Sequence, residues 1–311
     1  MKRTAVMVFI LAAAGLGVAQ TAQPQTPNKS SQSTTPGASS QSSAPGAAQG
    51  STPTTPPAKL PPQAKTQAEF DAYQAAIKNA SDPAAMEKAA DDFAAKFPDS
   101  ELRVLLYRVA MHAEQGANNA EKMSETAQKI LKIDPDDPEA LIGAAEVIAE
   151  RTRDTDLDRD QRYAEAQKDS QHALQTIDTD AQIPAGTPQE KVDAYKGFLR
   201  SSAYSILGTI AFNEKNYVEA EEQFRKSIDA FPSQPDPVVV LRLAIALDNQ
   251  GKYPDALKEA NRAVELTQEN TQAGTLARRE RDRLVQLTGG SPAPAPKPSN
   301  GAMQNPSPPS H

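Results

Sequence analysis

The sequence predicts an all-α fold, a right-handed α-solenoid of helix–turn–helix repeats with about eleven helices, flanked by disordered tails. Three observations carry this expectation. From residue 66 to residue 287, apolar side chains recur at helical spacing, and proline and glycine fall between segments rather than inside them. No run alternates with the period of a strand. Val238-Val-Val240 opens like one, but continues as Leu241, Leu243, Ala244 and Leu247, which is helical spacing. The third observation is Tyr204-Ser-Ile-Leu207-Gly208-Thr-Ile-Ala211, followed by Tyr217, Ala220-x3-Phe224, Ser227 and Pro232. Large and small residues alternate there so that two antiparallel helices nest. One such pair cannot bury its apolar face alone, so it implies an array.

The helices fall near residues 66–79, 83–97, 101–116, 120–133, 138–151, 160–177, 189–213, 216–230, 237–250, 253–267 and 271–287. Phe97-Pro98-Asp-Ser100 separates the second from the third. Ile130-Leu-Lys-Ile-Asp-Pro135-Asp-Asp-Pro138 makes the junction before the fifth, where Asp137 is placed to cap the helix that Pro138 begins. Residues 152–159 form an insertion, and the segment 189–213 is several residues longer than a regular repeat needs. Pro232 closes the eighth helix because it has no amide hydrogen to continue the ladder. Gly251-Lys-Tyr253 turns the chain into the tenth, which Ala256, Ala260 and Ala263 line. The last segment, with Arg278, Arg279, Arg281 and Arg283, caps the open end with a polar face.

The best unit resembles the tetratricopeptide repeat. Tyr204 takes the place of the usual Trp, Leu207-Gly208 matches the Leu-Gly pair, and Ala220, Phe224 and Pro232 follow at the family spacing. In the next unit Leu243-Ala244 replaces Leu-Gly, with Gly251, Tyr253 and Ala256 in place. The clearest repeats are 201–234 and 237–270, within a helical domain of residues 66–289. The pair at 66–98 lacks the Leu-Gly signature, and Pro98 to Pro135 spans three residues more than the usual period.

Composition sets the ends apart. Residues 1–19 have the form of an export signal: Lys2 and Arg3, an uncharged apolar run from Ala5 to Ala19, and small residues before a cut at Gln20. That run is shorter than the roughly 20 residues needed to span a bilayer, so no stable span is expected after cleavage. With no cysteine in the chain, a cysteine-linked lipid anchor, a disulfide framework and a thiol nucleophile are excluded. Residues 20–65 and 290–311 are built from Pro, Ser, Thr, Gln, Gly and Ala. Ordering each residue costs about 1–2 kcal/mol of backbone entropy, which so little apolar surface does not offset. Both are expected to be disordered.

All 40 acidic residues, but only 27 of the 33 basic ones, lie within 66–289, which therefore carries a net charge of −13. Nucleic acid and anionic membrane surfaces, which require clustered Lys and Arg, are disfavoured as partners. No phosphate loop, nucleophile elbow or paired-carboxylate frame occurs, so no enzyme activity and no cofactor are expected. The three histidines, His112, His172 and His311, are too far apart to suggest a metal site. Asp154, Asp156, Asp158 and Asp160, with Glu165 at the twelfth position, have the ligand layout of a calcium loop. Arg159 stands where that loop needs glycine, and Arg151, Arg153, Arg159 and Arg162 are placed to neutralise the acids, which favours a salt-bridged loop.

The resemblance implies that the first helix of each pair lines a concave binding face. That places Glu139, Ile142, Glu146 and Glu150 on it, then Ser205, Thr209, Phe212 and Asn213, then Leu241, Ile245, Asp248 and Asn249. No Lys or Arg appears among them, so an uncharged or basic extended segment fits better than an acidic tail. The function expected is an exported, non-catalytic scaffold or adaptor that binds a protein or peptide in the periplasm or cell envelope, with an extracellular location as the alternative. The alternatives are a calcium-binding protein using residues 154–165, or an accessory subunit of an envelope assembly machine.

Overall fold

Eleven helices and no strand occur among the described residues, 62–184 and 186–289 of a computed structural model. They are α1 (Gln67–Ile77), α2 (Pro83–Lys96), α3 (Leu102–Gly116), α4 (Ala120–Leu131), α5 (Pro138–Arg151), α6 (Arg159–Asp180), α7 (Gln189–Asn213), α8 (Tyr217–Ala230), α9 (Pro237–Asn249), α10 (Tyr253–Glu265) and α11 (Gln272–Leu287). The expected helices are all present, with ends shifted by up to three residues. None is long and apolar enough to cross a membrane. The expectations for residues 1–61 and 290–311 lie outside the described residues.

Sequence-local chemistry sets the helix starts. Thr66 Oγ1 accepts the Glu69 amide at 3.1 Å, Asp82 Oδ1 that of Ala85 at 3.1 Å, and Thr271 Oγ1 that of Gly274 at 3.0 Å. Asp82, Asp137 and Asp236 each precede a proline in the first turn, where a missing amide hydrogen costs nothing. The expected linker boundary at residue 65 is corrected by the same region. Pro62 is buried, Ala64 packs on the core, and Lys65 donates from its amide to Glu69 and from Nζ to the Asp99 carbonyl.

The chain divides into two compact units. The first holds α1–α5 with Lys168–Leu199, and its helices pack in sequence order around Met86, Leu102, Leu106 and Ile130, all fully buried. The second holds Thr152–Gln167 and, among the described residues, 200–289. Its α8–α11 also pack in order, with α9 touching α11 as well, around Phe224, Leu243, Leu247 and Leu284.

One turn recurs three times. Asn118, Lys215 and Gly251 follow α3, α7 and α9 with φ of 58°, 62° and 73°. Each left-handed residue donates its N–H three residues back: Asn118 to Gln115, Lys215 to Phe212 and Gly251 to Asp248, at 2.8–3.0 Å. The next residue donates five back: Asn119 to Glu114, Asn216 to Ala211 and Lys252 to Leu247, at 2.9–3.0 Å. This bond pair is the Schellman closure of a helix, here leading straight into a second helix.

Counted from these turns, the residue seven before and the residue nine after the left-handed position correspond. They are Gly208 and Phe224 in one hairpin, Ala244 and Ala260 in the next, and Met111 and Ala127 in the first unit; all six are buried. A β-carbon on Gly208 would lie 2.5 Å from Phe224 Cδ1, so the absent side chain is what admits the ring.

Candidate partner-binding faces

In the second unit, the side chains read as one polar face divide into an internal set and an accessible set. Ser205 and Thr209 are buried, which corrects their assignment to an open face. Thr209 Oγ1 donates to the Ser205 carbonyl at 2.8 Å and accepts from Arg242 Nη1 at 2.8 Å, tying α7 to α9. Leu241 is also buried. Phe212 is half-buried, with its ring edge-on to Tyr217 at 5.6 Å. Asn213 donates from Nδ2 to the Tyr163 hydroxyl at 3.2 Å, and that hydroxyl in turn donates to the Thr152 carbonyl at 3.4 Å. Tyr163 is 1% exposed. The amide of Asn213 thus joins the end of α7 to the start of the 152–158 loop, a structural task.

The accessible part lies on α9 and α11. Asn249 is exposed and donates to the carbonyl of Ile245, one turn earlier, which is half-buried. Asp248 pairs with Arg283 of α11, which also holds Glu280. Those two carboxylates push the Arg283 guanidinium above its ordinary pKa, the Glu280 hydrogen bond contributing most. Leu276, Arg279 and Arg283 share one face of α11 by helical spacing, and all three are exposed. Arg242, Arg279 and Arg283 therefore place cations beside a face from which the sequence reading excluded Lys and Arg.

The remaining repeat-defining residues divide between the interior and the surface. Ala220, Phe224 and Ala256 are buried, Tyr204 and Leu207 half-buried, and Pro232 exposed just past α8. Lys226 Nζ lies 5.9 Å from the centre of the Tyr204 ring. Tyr253 opens α10 after the Gly251 turn and is 39% exposed.

Residues 154–165 behave as a salt-bridged loop and helix start. Arg159 opens α6, pairs with Asp160 at 2.9 Å and approaches Asp154 at 3.8 Å, while Arg162 lies 3.5 Å from Asp156. Asp156 Oδ2 also accepts the Arg153 amide at 2.9 Å. Asp158 and Glu165 are exposed. Among the described residues no group of three or more His, Asp or Glu side chains is arranged to hold a metal ion. A shallow cleft of about 420 Å³ separates this loop from the α7–α8 turn, between Asp154, Arg159 and Asp160 on one side and Asn213, Glu214 and Lys215 on the other.

In the first unit, Glu139 is mostly enclosed. Its side chain is 10% exposed, 3.4 Å from Arg108 Nε and 2.9 Å from His112 Nε2. Burial raises its pKa, but the Arg108 guanidinium and His112 outweigh that and hold the carboxyl below its usual range. Asp137 is fully buried with two jobs: Oδ1 caps α5 through the Ala140 amide at 3.0 Å, and Oδ2 accepts from Arg108 Nη2. Burial pushes the Asp137 carboxyl up, against the pull of Arg108. Ile142 is buried, Glu146 half-buried and Glu150 exposed. Of the α5 residues assigned to a partner face, Glu139 and Ile142 thus serve the interior.

The chain matches no family model and no curated protein.

Proposed function

We propose that this chain is a non-catalytic scaffold built from tetratricopeptide-type hairpins, holding an extended segment of a partner protein against the α9–α11 face. The observation that carries the reading is the hairpin itself, closed three times by the same left-handed turn and filled by complementary volumes at its crossing. Repeated hairpins create extended surfaces rather than enclosed cavities, and extended surfaces suit extended ligands. On this face Ile245 and Leu276 offer apolar contact, Asn249 an amide able to bond a peptide backbone, and Arg279 a cation. The export-type start at residues 1–19 supports a place of work in the periplasm or cell envelope.

The test is affinity capture from envelope extracts with wild type and with Ile245→Glu plus Asn249→Ala. Asn213 is unsuitable for substitution because it supports Tyr163. A partner retained by wild type and lost from the variant is expected, and its purified form should bind directly with the same dependence. Capture that the variant leaves unchanged, or no capture at all, contradicts the reading.

A further inference from the structure

Leu157, at the tip of the 152–158 loop, is 107% exposed, the most open large apolar side chain among the described residues. It is not on a slack segment. The Asp156 amide donates to the Arg153 carbonyl at 3.0 Å, its carboxylate takes the Arg153 amide at 2.9 Å, and the Arg159 amide donates to the Asp156 carbonyl at 3.2 Å. The backbone on both sides of Leu157 is therefore fixed, and holding an apolar group ready in this way lowers the cost of docking it. Asp158 follows directly, with its carboxylate exposed and without an ion-pair partner among the described residues. The tip is a leucine between acids.

A receptor of matching chemistry lies on the first unit. A cleft of about 580 Å³ runs between α4 and the end of α5, with Val147 in its wall, Glu121 and Glu125 on the α4 side, and Lys129, Lys132 and Arg151 around it; Lys122 pairs with Glu125, and Lys129 is held by Glu87 and Asp91. Lys132 and Arg151 are exposed and have no ion-pair partner among the described residues. They are two unneutralised cations in a folded region that carries −13 overall.

We propose that the Leu157 tip of one copy of this chain docks into the α4–α5 cleft of a second copy. Leucine meets Val147 and the aliphatic stems of Lys132 and Arg151, while the exposed Asp158 faces the two cations. Knob and cleft are different surfaces, so the contact is heterologous, head to tail. The occupant is a second copy because this chain itself carries both complementary halves. The net negative charge of each copy keeps the association weak and confines it to this locally opposite pair. The inference goes beyond partner binding on α9–α11, and either can fail alone.

Heterologous contacts have a specific test. Sedimentation equilibrium of the full chain, over concentrations up to about 1 mM, should show reversible association of wild type. Leu157→Asp and the double variant Lys132→Glu with Arg151→Glu should each weaken it at least about tenfold, the scale of losing one buried leucine. All three positions are exposed, and unchanged far-ultraviolet circular dichroism checks the folds. Mixed one to one, the Leu157→Asp chain supplies an intact cleft and the cleft variant an intact tip, so 1:1 heterodimers with wild-type affinity are expected. A monomeric wild type, variants that associate as wild type does, or a mixture that forms no heterodimer would each overturn the proposal.

Discussion

Adding one methyl group at Gly208 tests the packing on which the hairpin depends. The new β-carbon would lie 2.5 Å from Phe224 Cδ1, 2.6 Å from Cε1 and 3.1 Å from Cγ, and the ring is fully buried with no open side to turn into. Overpacking of this kind costs about 1–3 kcal/mol, whereas alanine in place of glycine within a helix returns about 1 kcal/mol. The net expectation for Gly208→Ala is a loss of up to about 2 kcal/mol, with Gly208→Leu worse. Phe224→Ala alone should cost about 3–5 kcal/mol by leaving a cavity. In the double variant the clash is gone and the helix gain remains, so the two changes should couple favourably by about 1–3 kcal/mol. That double variant recreates the Ala244 and Ala260 pair of the neighbouring hairpin, which is buried. Urea unfolding followed by circular dichroism at 222 nm measures all four corners of the cycle. A stabilising Gly208→Ala, or a coupling near zero, would refute the crossing as described.

Three further outcomes follow from particular residues. Lys215 holds a left-handed backbone with a β-carbon, so Lys215→Gly should stabilise by about 0.5–1 kcal/mol; Asn118→Gly should gain less because asparagine tolerates that region, and equal gains in urea midpoint would contradict this. Glu139 has a folded pKa below its ordinary value of 4.5, so its stabilising effect is fully present above that value and fades as pH falls through the folded pKa. Glu139→Gln should therefore cost about 1–3 kcal/mol at pH 7, and progressively less as pH falls below 4.5; a cost independent of pH, by urea titration, would show that the charge is not what matters. Tyr163→Phe removes the hydroxyl joining Thr152 to Asn213, so trypsin should cut at Arg153 or Arg159 about fivefold faster, on the scale of one lost hydrogen bond, whereas Asn249→Ala should leave the rate unchanged.

Helix positions were legible because their ends carry local chemistry. Asp82-Pro83, Asp137-Pro138 and Asp236-Pro237 announce starts within two residues, and apolar spacing fills in the rest. The turns were legible only in part. Gly251 is the residue a left-handed closure prefers, but Lys215 adopts the same conformation with no sequence mark. The candidate face was read least well, for a physical reason. Thr209, Asn213 and Glu139 are polar and sit on first helices, so periodicity alone gives them to solvent. Their partners are Arg242, 33 residues from Thr209, Tyr163, 50 residues from Asn213, and Arg108 in another helix. Long-range polar pairing overrides the local pattern, and no helical spacing encodes it. The cations of α11 were visible as residues, and only the Asp248–Arg283 contact shows that they adjoin α9.

The scaffold reading rests most directly on what touches the α9–α11 face. A photo-crosslinking side chain placed at Asn249, at Leu276 and at Glu222, an exposed residue of α8, separates that face from the general surface. In envelope extracts, positions 249 and 276 are predicted to yield the same discrete crosslinked protein, and position 222 none. The same pattern from all three positions, or no crosslink from 249 and 276, would contradict a partner held on this face.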